Sequence, residues 1–203
     1  MYIPKYAEMN DIDEITGFIC QNSFAVLIST NVGKINATHV PVVYKKCNNR
    51  LGCLYCHIAK ANQQWKNMDN EVLVIFPGPH CYVSSSWYET DQSVPTWNYL
   101  AVHVYGNINQ VECKEEKIKI VSELTENFEG KKSKYKIENL ENDFFERQLK
   151  GIVVFEIKIT KLEGKKKLSQ NHSRERQDRI INKLDELNDY NATLISDLMK
   201  KNC

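Results

Sequence analysis

The chain has 203 residues, enough for one domain with a sizeable core. Apolar residues make up 42% and charged residues 26%, and 27 Lys+Arg against 26 Asp+Glu leave a formal charge of +1. That balance excludes a disordered or strongly basic chain and gives no reason to expect non-specific nucleic-acid binding. No apolar run approaches the ~18 residues of a membrane span. The start, MYIPKYAEMNDIDEI, lacks a basic region followed by an apolar stretch, so a cytoplasmic protein with reduced cysteines is expected.

Ile12, Ile15, Phe18 and Ile19 recur at helical spacing and predict a helix over 11–22, capped by Asn10 or Asp11. FAVLIST (24–30) reads as a buried strand, the residues from Asn31 to Lys34 as a turn, and INATHVPVVY (35–44) as the second arm of a hairpin. LGCLYCHI (51–58) is a third strand, and Ala61 to Asn67 a short helix packing Trp65. EVLVIFPGP (71–79) is an apolar strand ended by Pro-Gly-Pro, after which HCYVS (80–84) continues as an extended segment. A polar loop leads into a long strand over 97–111. A charged helix follows with Ile118, Val121, Leu124 and Phe128 on one face, then a helix over 139–150 and a strand over 151–164. The tail from Arg174 to Lys201 carries two helical patterns around Asn188. Closely spaced strands over 24–111 predict an antiparallel barrel decorated with helices, not a doubly wound sheet.

Cys53-Leu-Tyr-Cys56-His57 spells the c-type haem attachment pattern and half of a zinc site. On a regular strand, however, side chains three apart point to opposite faces, so Cys53 shares a face with His57 and not with Cys56. No second cysteine pair follows to complete a zinc site. No glycine-rich phosphate loop, nucleophile elbow or two-histidine metalloprotease spacing occurs.

The chemistry that remains lies in residues 83–106, where small donors stand beside flat aromatics. Ser84, Ser85, Ser86, Thr96 and Asn98 can hydrogen-bond a phosphate or the edge of a heterocycle, and Trp87 and Trp97 can cover a ring face. A second polar group, Lys60, Asn62, Gln64 and Trp65, sits where a strand hands over to a helix, whose free N–H groups favour an anion. Together they suit a phosphorylated planar ligand. The alternative is that the tryptophans cap the core and the serines turn the chain.

Eight blocks in order carry a family resemblance. They are Met1 to Tyr6, Ala37-Thr-His-Val-Pro41, Asn62-Gln-Gln-Trp65, Gly78-Pro-His80, Ser84 to Tyr88, Val94 to Tyr99, Leu149-Lys-Gly151 and Lys167-Leu-Ser-Gln-Asn171. The chain resembles the PaiB-type family, the FMN-binding negative transcriptional regulators of bacteria. The resemblance implies one FMN-binding split β-barrel over 1–203, antiparallel and of Greek-key type, with peripheral helices and a helical C-terminal extension at about 172–203. It also implies a homodimer with FMN at the interface. Carried over by position, Lys60 and Asn62 lie near the phosphate, Thr38 and His39 on the ring side, and Trp65 beside them. Ser84 to Trp87 and Thr96, Trp97 and Asn98 complete the pocket, with Lys167 and Gln170 reaching in from the partner chain. Where relatives carry Arg or Lys after Ser-Gln-Asn, His172 stands here.

The sequence is compatible with three functions. One is an FMN-binding transcriptional regulator touching DNA through the basic segment Lys158 to Arg176. The second is an FMN-dependent oxidoreductase of flavin-reductase type, in which the cofactor carries the chemistry. The third is a haem-binding split barrel using His57 or His103.

Overall fold

Burial alternates along the first hairpin. In β2 (Phe24–Asn31), Ala25, Leu27 and Ser29 face inward and are at most 2% exposed. β3 (Lys34–Pro41) pairs with it antiparallel, from Phe24 opposite Pro41 to Asn31 opposite Lys34. Val32 and Gly33 close the turn at φ 47° and 77°, the left-handed pair that matches strand twist in a two-residue hairpin. The computed structural model describes residues 1–130 and 132–202.

The remaining elements are β1 (Glu8–Met9), α1 (Ile12–Gln21), β4 (Val43–Lys45), β5 (Cys53–Ala59), β6 (Glu71–Val83), β7 (Thr96–Gln110), α2 (Lys114–Glu129), α3 (Asn142–Lys150), β8 (Ile152–Lys167), α4 (Arg174–Glu186) and α5 (Tyr190–Lys201). They build one eight-stranded sheet in the order β3-β2-β6-β7-β8-β5-β4, with β1 added to β8. The chain divides into two compact units, one of residues 1–15, 77–102 and 163 onward, the other of 16–76 and 103–162.

The second unit holds the barrel interior. Leu27, Val40, Leu54, Cys56, Val74, Phe76, Val104, Phe155 and Ile157 are buried there. A satellite core of Val111, Ile120, Leu124 and Val154 seats α2. The stripe that α2 buries is Ile120 and Leu124, four residues apart, whereas Phe128 stays 49% exposed. The expected face through Ile118 and Phe128 is therefore rotated.

In the first unit, α4 and α5 pack on each other through Ile180, Ile181, Leu184, Ala192, Ile195 and Met199. Asp189 starts α5 by accepting a hydrogen bond from the Ala192 N–H at 2.7 Å, which fixes the predicted break.

Two strands differ from expectation. β6 runs unbroken through Pro77-Gly78-Pro79. β2 pairs only residues 72–75 of β6, so the prolines lie beyond that partner and a missing N–H costs no ladder bond there. Conversely, 35–44 is two strands. β3 pairs with β2 and β4 with β5, and the break falls at Val42, which is 1% exposed and donates to Ser23 O at 2.8 Å.

The expectation of reduced cysteines fails at one pair. Cys47 and Cys53 form a disulfide across the β4–β5 turn, where the hairpin brings their Cα atoms to 6.1 Å, inside the bridging range. Cys56, on the opposite face, is fully buried and its thiol is pushed up to about 12 by burial. A loop this short should lose about 2 kcal/mol when the bridge is opened. Cys47→Ser is therefore expected to lower Tm by roughly 4–8 °C. Dithiothreitol should have the same effect on the wild type and none on the variant.

Candidate functional site

The sequence-predicted residues fall into two sets, one in each unit. In the second unit the organiser is Gln64, which is 7% exposed. It belongs to a 3₁₀ turn, Gln63–Asn67, that starts when Asn62 Oδ1 accepts from the Gln64 N–H at 3.0 Å. The Gln64 amide nitrogen donates to Ser29 Oγ at 3.0 Å, Leu27 O at 3.3 Å and Asn36 O at 3.4 Å. Its oxygen accepts from Thr38 Oγ1 at 2.5 Å, and Thr38 Oγ1 accepts from Asn62 Nδ2 at 2.8 Å. One turn is thus riveted to β2 and β3 through a single buried amide. Asn62 keeps one N–H, and Thr38 one lone pair, for a ligand.

Lys60 is exposed, and among the described residues no ion pair engages it. Its carbonyl accepts from Trp65 Nε1 at 2.9 Å, which orients the indole beside it. Thr38 and His39 are neighbours on β3 and project to opposite faces. Thr38 joins the Gln64 network, while His39 stacks on Phe24 with ring centroids 5.9 Å apart. Phe24 is 63% exposed, so this pair offers a flat face to solvent.

In the first unit, Ser84 accepts from the Ser86 N–H at 3.2 Å and caps the 3₁₀ turn Ser85–Trp87. Trp97 is 52% exposed and lies 6.1 Å from His80 and 5.9 Å from Tyr82. Asn98 is fully buried: its oxygen accepts from Ser169 Oγ at 3.1 Å and its amide faces Met199 Sδ at 3.5 Å. Gln170 closes its own turn, accepting from Leu168 N–H at 2.7 Å and donating to Lys166 O at 2.5 Å. Asn98 and Gln170 thus spend their hydrogen bonds on the fold. Thr96 is bonded by the Lys167 ammonium, and both line a cavity of about 370 Å³.

Tyr88, Glu89, His172 and Arg176 were not singled out together by the sequence, although three of them line that cavity. Arg176 Nε donates to both Glu89 oxygens at 3.0 Å, and its guanidinium lies 4.7 Å over the Tyr88 ring. The Arg176 hydrogen bond holds the Glu89 carboxyl at about 2. Its folded value lies below its unfolded one, so the stabilisation is full above pH ~4.5 and disappears as pH falls toward 2. Glu89→Gln should therefore melt below the wild type at pH 7, and the two melting curves should converge as the pH is taken down to 2.

The basic segment is largely engaged. Lys158 approaches Glu156 at 3.8 Å, Lys166 pairs with Glu14 at 2.6 Å, and Arg174 pairs with Asp178 at 2.9 Å. Lys165 is 7% exposed and donates to Tyr2 O at 3.0 Å. Cys53, Cys56 and His57 do not converge: Cys53 is bonded to Cys47, and burial lowers the His57 pKa, favouring the neutral ring. Among the described residues, no helix is long and apolar enough to cross a membrane.

FMN needs donors for a phosphate and ribityl chain and a flat face for its ring. The Thr38–Asn62–Gln64 network, the Lys60 ammonium, the exposed Phe24–His39 pair and the half-buried Trp65 ring supply these types. A larger groove of about 610 Å³ beside α2 is lined by Glu123, Glu126, Glu129 and Glu138 against Lys45 and Lys136, a net negative wall that disfavours a phosphate dianion.

The fold is that of the flavin-binding split barrels. It superposes on the flavocytochrome Anf3 of Azotobacter vinelandii with TM-score 0.64 and 11% identity, covering 82% of this chain and 72% of that one. It matches the FAD and heme binding protein of Mycobacterium smegmatis with TM-score 0.61 and 9% identity, over 84% and 78%. The family described as "Putative FMN-binding domain" matches residues 1–161, and the chain belongs to it. FMN is the cofactor of that family. The chain is also 37% identical to "Protease synthase and sporulation protein PAI 2" of Bacillus subtilis, over 98% of this chain and 97% of that protein.

Proposed function

We propose that this chain is an FMN-binding transcriptional regulator of PaiB type, acting as a cytoplasmic homodimer that represses its target genes. The observation that carries this reading is the end-to-end similarity to the Bacillus PAI 2 protein, whose name ties it to protease synthesis and sporulation. FMN is held by the network around Gln64, with its phosphate toward Lys60 and the spare Asn62 N–H. The half-exposed Trp97 and Tyr82, with His80, support a second copy as the partner, since such a face is costly to leave in water. For regulation, FMN must bind the DNA-competent and incompetent states with different affinity.

The test is a footprint on promoter fragments with flavin-free, oxidised and reduced protein, beside a visible spectrum and a size measurement. A flavin spectrum, a dimeric mass and a footprint that depends on FMN state are expected. Steady NAD(P)H oxidation with no footprint on any fragment would replace the regulator by a flavin oxidoreductase.

A further inference from the structure

The cavity of about 370 Å³ in the first unit lies in the size range of small-molecule sites, ~300–1,000 Å³. Three observations on its wall point the same way. Lys167 is partly buried and, among the described residues, its ammonium meets the Thr96 hydroxyl and no carboxylate. Burial disfavours such a charge unless an anion joins it. Tyr88 is only 8% exposed, and its buried hydroxyl has no hydrogen-bond partner among the described residues. Buried hydroxyls rarely go unpaired without a ligand or water to meet them. Arg176 is braced by Glu89 and by the Tyr88 ring, with Nη1 3.5 Å from His172 Nδ1. Two cations therefore stand on the cavity wall against one carboxylate, with Lys165 adding positive potential at Lys167. Val94 and Pro95 give the cavity an apolar side.

We propose that this cavity binds a small organic anion other than FMN, its phosphate or carboxylate head on Lys167, Thr96 and the Tyr88 hydroxyl and its apolar body against Val94 and Pro95. The site neither uses the Gln64 network nor depends on FMN being bound there. Such a ligand would be an effector of the regulator, a role that rests on the function proposed above.

Phenyl phosphate is the probe, titrated calorimetrically into FMN-saturated protein, with phenol as the same body lacking the charge. Phenyl phosphate should bind and phenol should bind at least about tenfold more weakly. Lys167→Met should weaken phenyl phosphate by about tenfold or more, and Lys167→Arg should restore most of it. Tyr88→Phe should cost about threefold or more. Circular dichroism of Lys167→Met guards against misfolding, and the Lys167→Arg result stands without that variant. Equal binding of phenol, no binding of phenyl phosphate, or indifference to Lys167→Met overturns the proposal. Release of FMN by phenyl phosphate also overturns it, because the cavity is then the flavin phosphate's own site. A preparation that takes up no FMN sinks the flavin assignment alone, and titration of that flavin-free protein still decides the anion site.

Discussion

Replacing Gln64 with alanine is expected to lower both stability and FMN affinity by more than any other single polar change in the second unit. The variant removes three donor contacts, to Ser29, Leu27 and Asn36, and the acceptor of Thr38. Ser29 is 2% exposed, so water cannot readily replace the lost partner. Unpaired groups of this kind cost about 2–4 kcal/mol together, or roughly 5–12 °C in Tm. Freed from Gln64, Thr38 and Asn62 lose their fixed orientation, and FMN affinity should fall by at least about tenfold. Gln64→Glu keeps the length and the acceptor but loses the donor, so it should be destabilised as well. Thermal melts and fluorescence titration of flavin check this. A Gln64→Ala variant that melts with the wild type and binds FMN equally well would remove the network from the site.

What was legible in the sequence was what local pattern encodes. FAVLIST reads as a buried strand and WNYLAVHVYG as part of a long one, and both are strands, with Ala25, Leu27, Val102 and Val104 inside. The turn through Gly33 and the helix break at Asn188 are equally local. The β3–β4 break was not readable, because it depends on which strand each half pairs with. Nor was the path of β6 past its prolines, because that depends on where β2 stops. The site shows the same division. Asn98 looked like a pocket donor because it lies among serines and tryptophans. Its partner Ser169 is 71 residues away, and the pairing makes it core. Gln64 looked like one polar residue among several, yet its partners come from strands 26 to 37 residues earlier. Glu89 and Arg176, 87 residues apart, left no local trace of the pair that flanks the cavity.

Gly106→Ala is expected to destabilise the protein although it adds one methyl group. Gly106 sits on the inward phase of β7, which also carries Val104 and Ile108. A Cβ there would stand 2.7 Å from Ile157 Cγ2 and 2.7 Å from Lys158 O. The side chain could turn aside, but the carbonyl belongs to β8, which neighbours β7 in the sheet. Relief therefore requires the two strands to separate, which weakens ladder bonds and opens the core above them. Overpacking of this kind costs about 1–3 kcal/mol, and the backbone contact puts this case at the upper end. Gly17 supplies the control of opposite sign. It lies inside α1, and an added Cβ would meet nothing within 4 Å. Gly17→Ala should stabilise by about 0.5–1 kcal/mol through helix propensity alone. Melting both variants side by side separates steric approach from backbone entropy, because an entropic effect alone would move them in related ways. If Gly106→Ala melts at or above the wild type, the close approach of β7 to β8 at this point is wrong. The register of the central sheet would then need to be redrawn.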